Sequence, residues 1–267
     1  MSLALAFLKR DATIALSYRT SMIAQLTGNL LLLGIFYYIG ELIGESSNPA
    51  LTKFDGSYLA FMLIGLALAD TVGVSLTTFA TQIREGQLTG TLEATLMSPV
   101  RLSLILIYSS LWSYCFSAFR FMLYIGVGSV LYGVSMAQAN LVSALVIFLL
   151  CVMCFAGIGI LWASIVMLLK RGEPILTIGG LIVLVLSGVV FPREILPTWM
   201  QYIAEIIPLS HALDGMRLAI LTGADLNEVT GILIKLSLFA VVFLPLGIFA
   251  FNAAVDVAKR AGSLIEY

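Results

Sequence analysis

The chain has 267 residues, of which 60% are apolar and only 11% charged, and its net charge is −1. A soluble domain of this length carries about a quarter charged residues, so the composition excludes an ordinary water-soluble fold. The near-zero net charge points to no particular partner, and nucleic acid is not among those expected.

The few charges are bunched between apolar runs long enough to cross ~30 Å of hydrocarbon at ~1.5 Å of helical rise per residue. Six spans are predicted, at about 21–43, 58–81, 102–132, 140–169, 174–191 and 231–254. The expected fold is therefore all-α and integral to the membrane, a single transmembrane domain over residues 1–267.

Ahead of the first span, residues 3–20 read as an amphipathic helix. At ~100° per residue, Lys9, Arg10, Thr13, Ser17 and Thr20 share one arc, and Leu5, Leu8, Ala12 and Leu16 lie on another side. Such a helix lies in the membrane interface. It does not read as a cleavable signal, because Lys9 and Arg10 follow apolar residues and no small-x-small site closes a short apolar core.

After the second span comes a polar segment, residues 84–100. Leu88, Leu92 and Leu96 recur every four residues, so one short helix carries a leucine stripe beside Glu85 and Glu93. Thr89 or Thr91 can cap its start, and Pro99 ends it by forcing the residue before it out of the α region. The helix is too short to span lipid and too apolar on one side for an idle loop. A capped connection between spans is the plain alternative.

The predicted fifth span ends at Phe191-Pro192. Beyond it, Pro197 suits a first helical position and Pro208 stops that helix, leaving two short apolar helices within 195–222, at 197–207 and 209–222. At roughly 15–20 Å each, neither can span. A re-entrant pair that dips into the outer leaflet and returns fits best, with Trp199 and Tyr202 at headgroup depth. His211, the sole histidine, either senses protons near neutral pH or makes a local hydrogen bond near Pro208.

Orientation follows from Lys and Arg. With both termini inside, the cytoplasmic segments hold Lys9, Arg10, Arg19, Arg84, Arg101, Lys170, Arg171, Lys259 and Arg260, against Lys53, Arg193, Arg217 and Lys235 outside. That bias places both termini and the 84–100 helix in the cytoplasm; the multi-pass chain is expected in the cell's inner (plasma) membrane.

Within the spans, Asp70 and Arg120 each lie about 12 residues, or roughly 18 Å, from the outer ends of consecutive antiparallel spans. Each alone costs roughly 2.5–3.5 kcal/mol to insert, so a mutual contact is expected. The functional alternative has Arg120 lining a pathway and meeting an anionic substrate. Cys151-x-x-Cys154 has no further ligands in view and reads as helix packing, not as a metal or redox site. Gly126, Gly128, Gly157, Gly159, Gly179 and Gly180 allow close helix approach. Tyr37, Tyr38, Tyr58, Tyr124 and Tyr132 crowd the outer halves of the first three spans and read as an aromatic belt.

Two motifs together carry a resemblance. Gly90-Thr91-Leu92-Glu93 followed by Ser98-Pro99-Val100 resembles the cytoplasmic coupling helix of type-2 ATP-binding-cassette (ABC-2) transporter permeases. Phe191-Pro192, Leu196-Pro197-Thr198-Trp199, Pro208-Leu209-Ser210-His211 and Arg217 resemble the C-terminal signature of the same family. With the six-span layout, the likeness extends over nearly the whole chain. It implies a transmembrane subunit of an ABC exporter, without catalytic or metal residues of its own. Glu85, Leu88, Leu92, Glu93 and Leu96 become the docking surface for an ATPase subunit. Phe191, Pro192, Pro197, Trp199, Pro208, His211 and Arg217 become an outer gate.

No Gly-Lys dipeptide occurs in the sequence, so it holds no phosphate-binding loop. The resemblance then implies that ATP and Mg bind a partner ATPase, present in two copies, with a second copy of this chain or a sister permease completing the pathway in the lipid bilayer. The expected cargo is an amphipathic or lipid-like drug, lipid or glycolipid moved outward, because the outer helices are apolar and the spans are poor in hydrogen-bonding groups. A polysaccharide or lipid-linked glycan is the alternative. An ATP-independent channel needs no docking helix. An intramembrane enzyme needs a Ser–His pair, an aspartate pair or a zinc motif, which one membrane Asp and one His do not assemble.

Overall fold

A computed structural model of the chain describes residues 3–43, 58–90, 102–133, 136, 138–169 and 173–261. Every regular element among them is helical. In chain order they are α1 (Leu3–Ser17), α2 (Arg19–Ile43), α3 (Tyr58–Leu88), α4 (Leu102–Tyr132), α5 (Leu141–Leu169) and α6 (Glu173–Leu186). A 3-10 turn at Arg193–Ile195 leads to α7 (Thr198–Ile206), α8 (Pro208–Arg217), a π-helical turn at Leu218–Thr222 and α9 (Thr230–Ala261).

Five of the described helices, α2, α3, α4, α5 and α9, are long and apolar enough to cross a membrane. Of the expected fifth span at 174–191, the helical part is α6, whose 14 residues rise ~21 Å. The apolar run continues, but the helix does not. Gly188 takes a left-handed φ of 76°, and the chain passes through turns to Pro192.

α3 is the central strut, with Ala60 to Leu68 buried without a break. α4 runs antiparallel to it: Leu63 packs against Gly128 at one end, and Ser117 Oγ hydrogen-bonds Thr71 Oγ1 at 3.1 Å further along. α5 has no charged residue and pairs with α9 in parallel. Cys154 Sγ donates to the Leu236 carbonyl at 3.1 Å, and Gly157 lies so close to Phe243 that a Cβ there would sit 2.5 Å from its carbonyl carbon. Both cysteines are thus buried packing groups.

Two of the buried clusters among the described residues lie at opposite ends of these helices. One gathers Leu63, Leu68, Ile147, Phe155, Leu213 and Leu236 at the end where α3, α5 and α9 begin. The other gathers Phe79, Ile83, Leu106, Met167, Phe251 and Ala258 at the opposite end. α1 lies at that second end, packed on α4 through Phe7 and Tyr108 (ring centroids 6.0 Å apart) and through Arg10, which donates to Ser109 Oγ at 3.2 Å. Leu5, Ile14 and Leu16 remain exposed on α1.

The aromatic-belt expectation is corrected in part. Tyr38 is exposed beside Tyr37, but Tyr124 is buried in the core and Tyr58 donates its hydroxyl to the Val190 carbonyl at 3.2 Å. Among the paired glycines, Gly126 and Gly180 have nothing near the place a Cβ would take.

Candidate functional site

Three places hold the residues singled out from the sequence. The first is the end of α3. Glu85 and Leu88 are exposed in its last turns, Leu88 at 68%. The Thr89 backbone N–H and hydroxyl both donate to the Glu85 carbonyl, at 2.9 and 2.7 Å, and Gly90 turns left-handed with φ 68°. Thr89 therefore closes a helix where the sequence pattern has it opening one. The leucine stripe does not start a separate helix at residue 84, because Arg84 to Leu88 complete α3. Leu92, Glu93 and Leu96, with Thr91 and Pro99, lie outside the described residues.

The second place is the α7–α8 hairpin. Pro197 caps α7, and Pro208 is the first residue of α8, where a missing N–H costs nothing. α7 is an outward-facing element: Trp199, Tyr202 and Ile206 are exposed and only Ala204 is buried. α8 is the reverse, with every residue buried except the half-buried Asp214. Leu209 shares a cavity with Val72 and Leu184, whereas Arg217 touches Phe61 near the start of α3. α8 thus runs antiparallel to α3 over ~15 Å, from inside the bundle toward its end.

Arg217 fixes that arrangement. It is 2% exposed, lies over the Phe61 ring at 3.3 Å from the centroid, and donates through Nη2 to the carbonyls of Gly188 (2.9 Å), Phe61 (3.3 Å) and Val189 (3.4 Å). One side chain therefore ties α8 to the end of α6 and the start of α3. His211 is buried, stacks on Phe239 (centroids 6.1 Å apart), and shares a 2.9 Å hydrogen bond with the Glu205 carbonyl. Burial holds its imidazole below the usual range, against the opposing pull of that carbonyl. Phe191 is half-buried, Pro192 buried, and Pro197 exposed. An ion pair between Arg193 and Asp214 clips the segment after Gly188 to α8. Sequence reading missed this pair. The signal available was an aspartate in an apolar hairpin, three residues before Arg217.

The third place is inside the membrane-length helices. Arg120 Nη2 lies 3.0 Å from Asp70 Oδ2, so the two expected partners meet. The contact is ionic but off the hydrogen-bonding angle, since Oδ2 accepts no hydrogen bond among the described residues. Arg120 Nη1 donates to Gln25 Oε1 at 3.3 Å, which brings α2 into the network, and its guanidinium lies 5.2 Å from the Phe116 ring centroid. Gln25 was not foreseen. Among the described residues, no group of three or more His, Cys, Asp or Glu is placed to hold a metal ion.

Chemically, these places offer an exposed helix end, a buried hairpin locked by one arginine, and a paired charge at mid-helix depth. None brings a nucleophile together with a base. A family model described as ABC-2 type transporter matches residues 5–221. A linearmycin resistance permease protein, LnrN of Bacillus subtilis (strain 168), is 34% identical over 127 residues, which is 46% of this chain and 31% of that relative. The aligned stretch thus covers about a third of the relative's length. Because the family model runs from α1 through the π-helical turn after Arg217, the chain belongs to the ABC-2 type transporter family.

Proposed function

We propose that this chain is the permease subunit of an ABC exporter, coupling ATP hydrolysis on a separate subunit to outward movement of an amphipathic or lipid-like compound. The observation that carries the reading is a family match over 5–221 in a sequence without a phosphate-binding loop. A permease of this kind draws its energy from a partner, which holds ATP and Mg. Two ATPase copies and a second permease, identical or sister, complete the machine.

In this reading the end of α3, with Glu85 and Leu88, and the segment through Leu92, Glu93 and Leu96 dock on the ATPase. Closure of the ATPase pair pushes on that end and shifts the helices between closed and open populations. The α7–α8 hairpin is the outer gate, re-entrant from the outer leaflet, with α6 as a short sixth crossing. Both termini face the cytoplasm and the chain sits in the inner (plasma) membrane. The relative's name, a resistance permease, favours a small amphiphile over a polysaccharide or lipid-linked glycan.

The test is purification from native membrane with identification of co-eluting chains. A stoichiometric phosphate-loop ATPase, stimulated by small amphiphiles, is the expected result. Deleting residues 86–96 should abolish that stimulation; activity that survives the deletion marks an ATP-independent channel. Stimulation by lipid-linked glycans alone selects the second cargo.

A further inference from the structure

Two cavities lie side by side against α3 and α4, on the face flanked by α1 and α2. One, of about 720 Å³, is lined by Arg10, Asp11, Thr81, Gln82, Glu85 and Ser109 among others. The other, of about 290 Å³, reaches Tyr18, Met22, Gln25, Phe116 and Arg120. Ala15, Thr77, Thr78, Trp112 and Ser113 line both, so the two form one groove. It leads from the α1 end of the bundle to the Asp70–Arg120 pair.

The chemistry changes along its length. At the α1 end it is polar, with carboxylates, a guanidinium and an amide. In the middle, the hydroxyls of Thr77, Thr78 and Ser113 share the lining with Trp112 and Phe116, whose rings stack at 6.2 Å. At the far end stands Arg120, its side chain 8% exposed. Its Nε is buried and donates to no acceptor among the described residues. A buried donor left unmatched is unfavourable, so an acceptor oxygen entering the groove is stabilised there. Asp70 competes for the same guanidinium through an ionic contact that lacks hydrogen-bonding geometry.

We propose that this groove is a loading site for an anionic amphiphile, its acidic group on Arg120 and its chain lying along Phe116, Trp112 and the Thr77–Ser113 hydroxyls toward α1. A carboxylate or phosphate supplies the two-oxygen acceptor that a guanidinium binds best. The aromatic rings and threonine methyls suit an apolar chain, and the volume suits a slender molecule. The proposal rests on the exporter reading and names the class of its cargo.

The test uses the full chain with whatever subunits co-purify, in phosphatidylcholine nanodiscs without nucleotide. Trp162→Phe and Trp199→Phe leave Trp112 as the only tryptophan of the three. Dodecyl phosphate brominated in its chain should quench Trp112 saturably, and brominated dodecanol should not. Arg120→Gln should weaken the phosphate amphiphile about tenfold or more. Asp70→Asn, by removing the competitor, should tighten it, an outcome that a purely structural pair does not give. Ser113→Phe should block quenching at an unchanged thermal midpoint. Should Arg120→Gln fail to fold, the double variant Asp70→Asn/Arg120→Gln, which strands no charge, replaces it. Equal weakening by both single variants, or no saturable quenching, overturns the proposal. Competition by inorganic phosphate as strong as that of dodecyl phosphate also overturns it, in favour of a free-anion site. Lack of quenching in a preparation that retains its ATPase leaves the exporter reading intact. Lack of an ATPase sinks that reading whatever Trp112 reports.

Discussion

At the scale of single residues, two arginines do different work. Arg217 offers one nitrogen to three carbonyls of non-helical or helix-end backbone, on Phe61, Gly188 and Val189. Leaving such groups buried without a donor costs ~1–3 kcal/mol, so Arg217→Gln should lower the thermal midpoint of the purified protein, and Arg217→Lys, which keeps the charge but not the flat stack on Phe61, should fall between. A midpoint unchanged by Arg217→Gln removes the proposed tie between α8, α6 and α3. Arg120 answers to Asp70. Removing one member of a buried pair costs ~3–5 kcal/mol, whereas removing both strands no charge. Asp70→Asn and Arg120→Gln together should therefore destabilise less than the sum of the single changes, measured as the yield of folded protein in a double-mutant cycle. Strict additivity refutes the coupling. This pair was legible in the sequence because helical rise alone sets both residues at matching depth on neighbouring spans. The Arg193–Asp214 pair was not, because it forms only once the α7–α8 hairpin has folded back.

Helices show where sequence patterns carry and where they stop. The boundaries of α4 and α5 fall within a residue of the apolar runs, since a run bounded by charges, glycine and proline leaves the chain few choices. α6 departs from its run because hydropathy does not register a backbone angle. Val189 to Phe191 are as apolar as any span, yet Gly188 ends the helix. The division of labour in the hairpin was equally hidden. Pro197 and Pro208 mark two short helices, but only packing decides that α7 faces out and α8 is enclosed. Two element-scale tests follow. Gly157→Val places branched carbon where α9 backbone already stands, and forcing α5 from α9 should cost ~1–3 kcal/mol or more in thermal stability. Leu88→Asp at the exposed end of α3 should leave the thermal midpoint unchanged while cutting substrate-stimulated ATPase activity of the complex about tenfold, as loss of one docking anchor does. A variant with full activity removes the end of α3 from the docking surface.

For the whole molecule, the packing sorts the charges more sharply than the sequence did. Lys9, Arg10 and Arg84 share one end with Lys259 and Arg260, because the ends of α3 and α9 meet in one core and α1 lines a cavity with the end of α3. At the opposite end, Arg193 is neutralised by Asp214 and Arg217 is buried, while Asp225 and Glu228 remain exposed. Counting only solvent-facing groups among the described residues, Lys235 is the cation left at that opposite end, so the contrast between the two ends grows, and it is this contrast that the positive-inside rule reads. The parallel pairing of α5 with α9 adds a second constraint, because whichever side holds Asn140 and Asp225 (joined by a 2.7 Å hydrogen bond) must also hold the start of α3. The orientation is therefore testable at two positions. In a Cys115→Ser background, which removes the exposed native thiol and leaves the buried Cys151 and Cys154, Glu228→Cys should react with a membrane-impermeant maleimide in intact cells. Lys259→Cys should react only after the membrane is opened. The reverse pattern would turn the bundle over, place the exposed end of α3 outside the cell, and leave an ATPase subunit with no surface to grip.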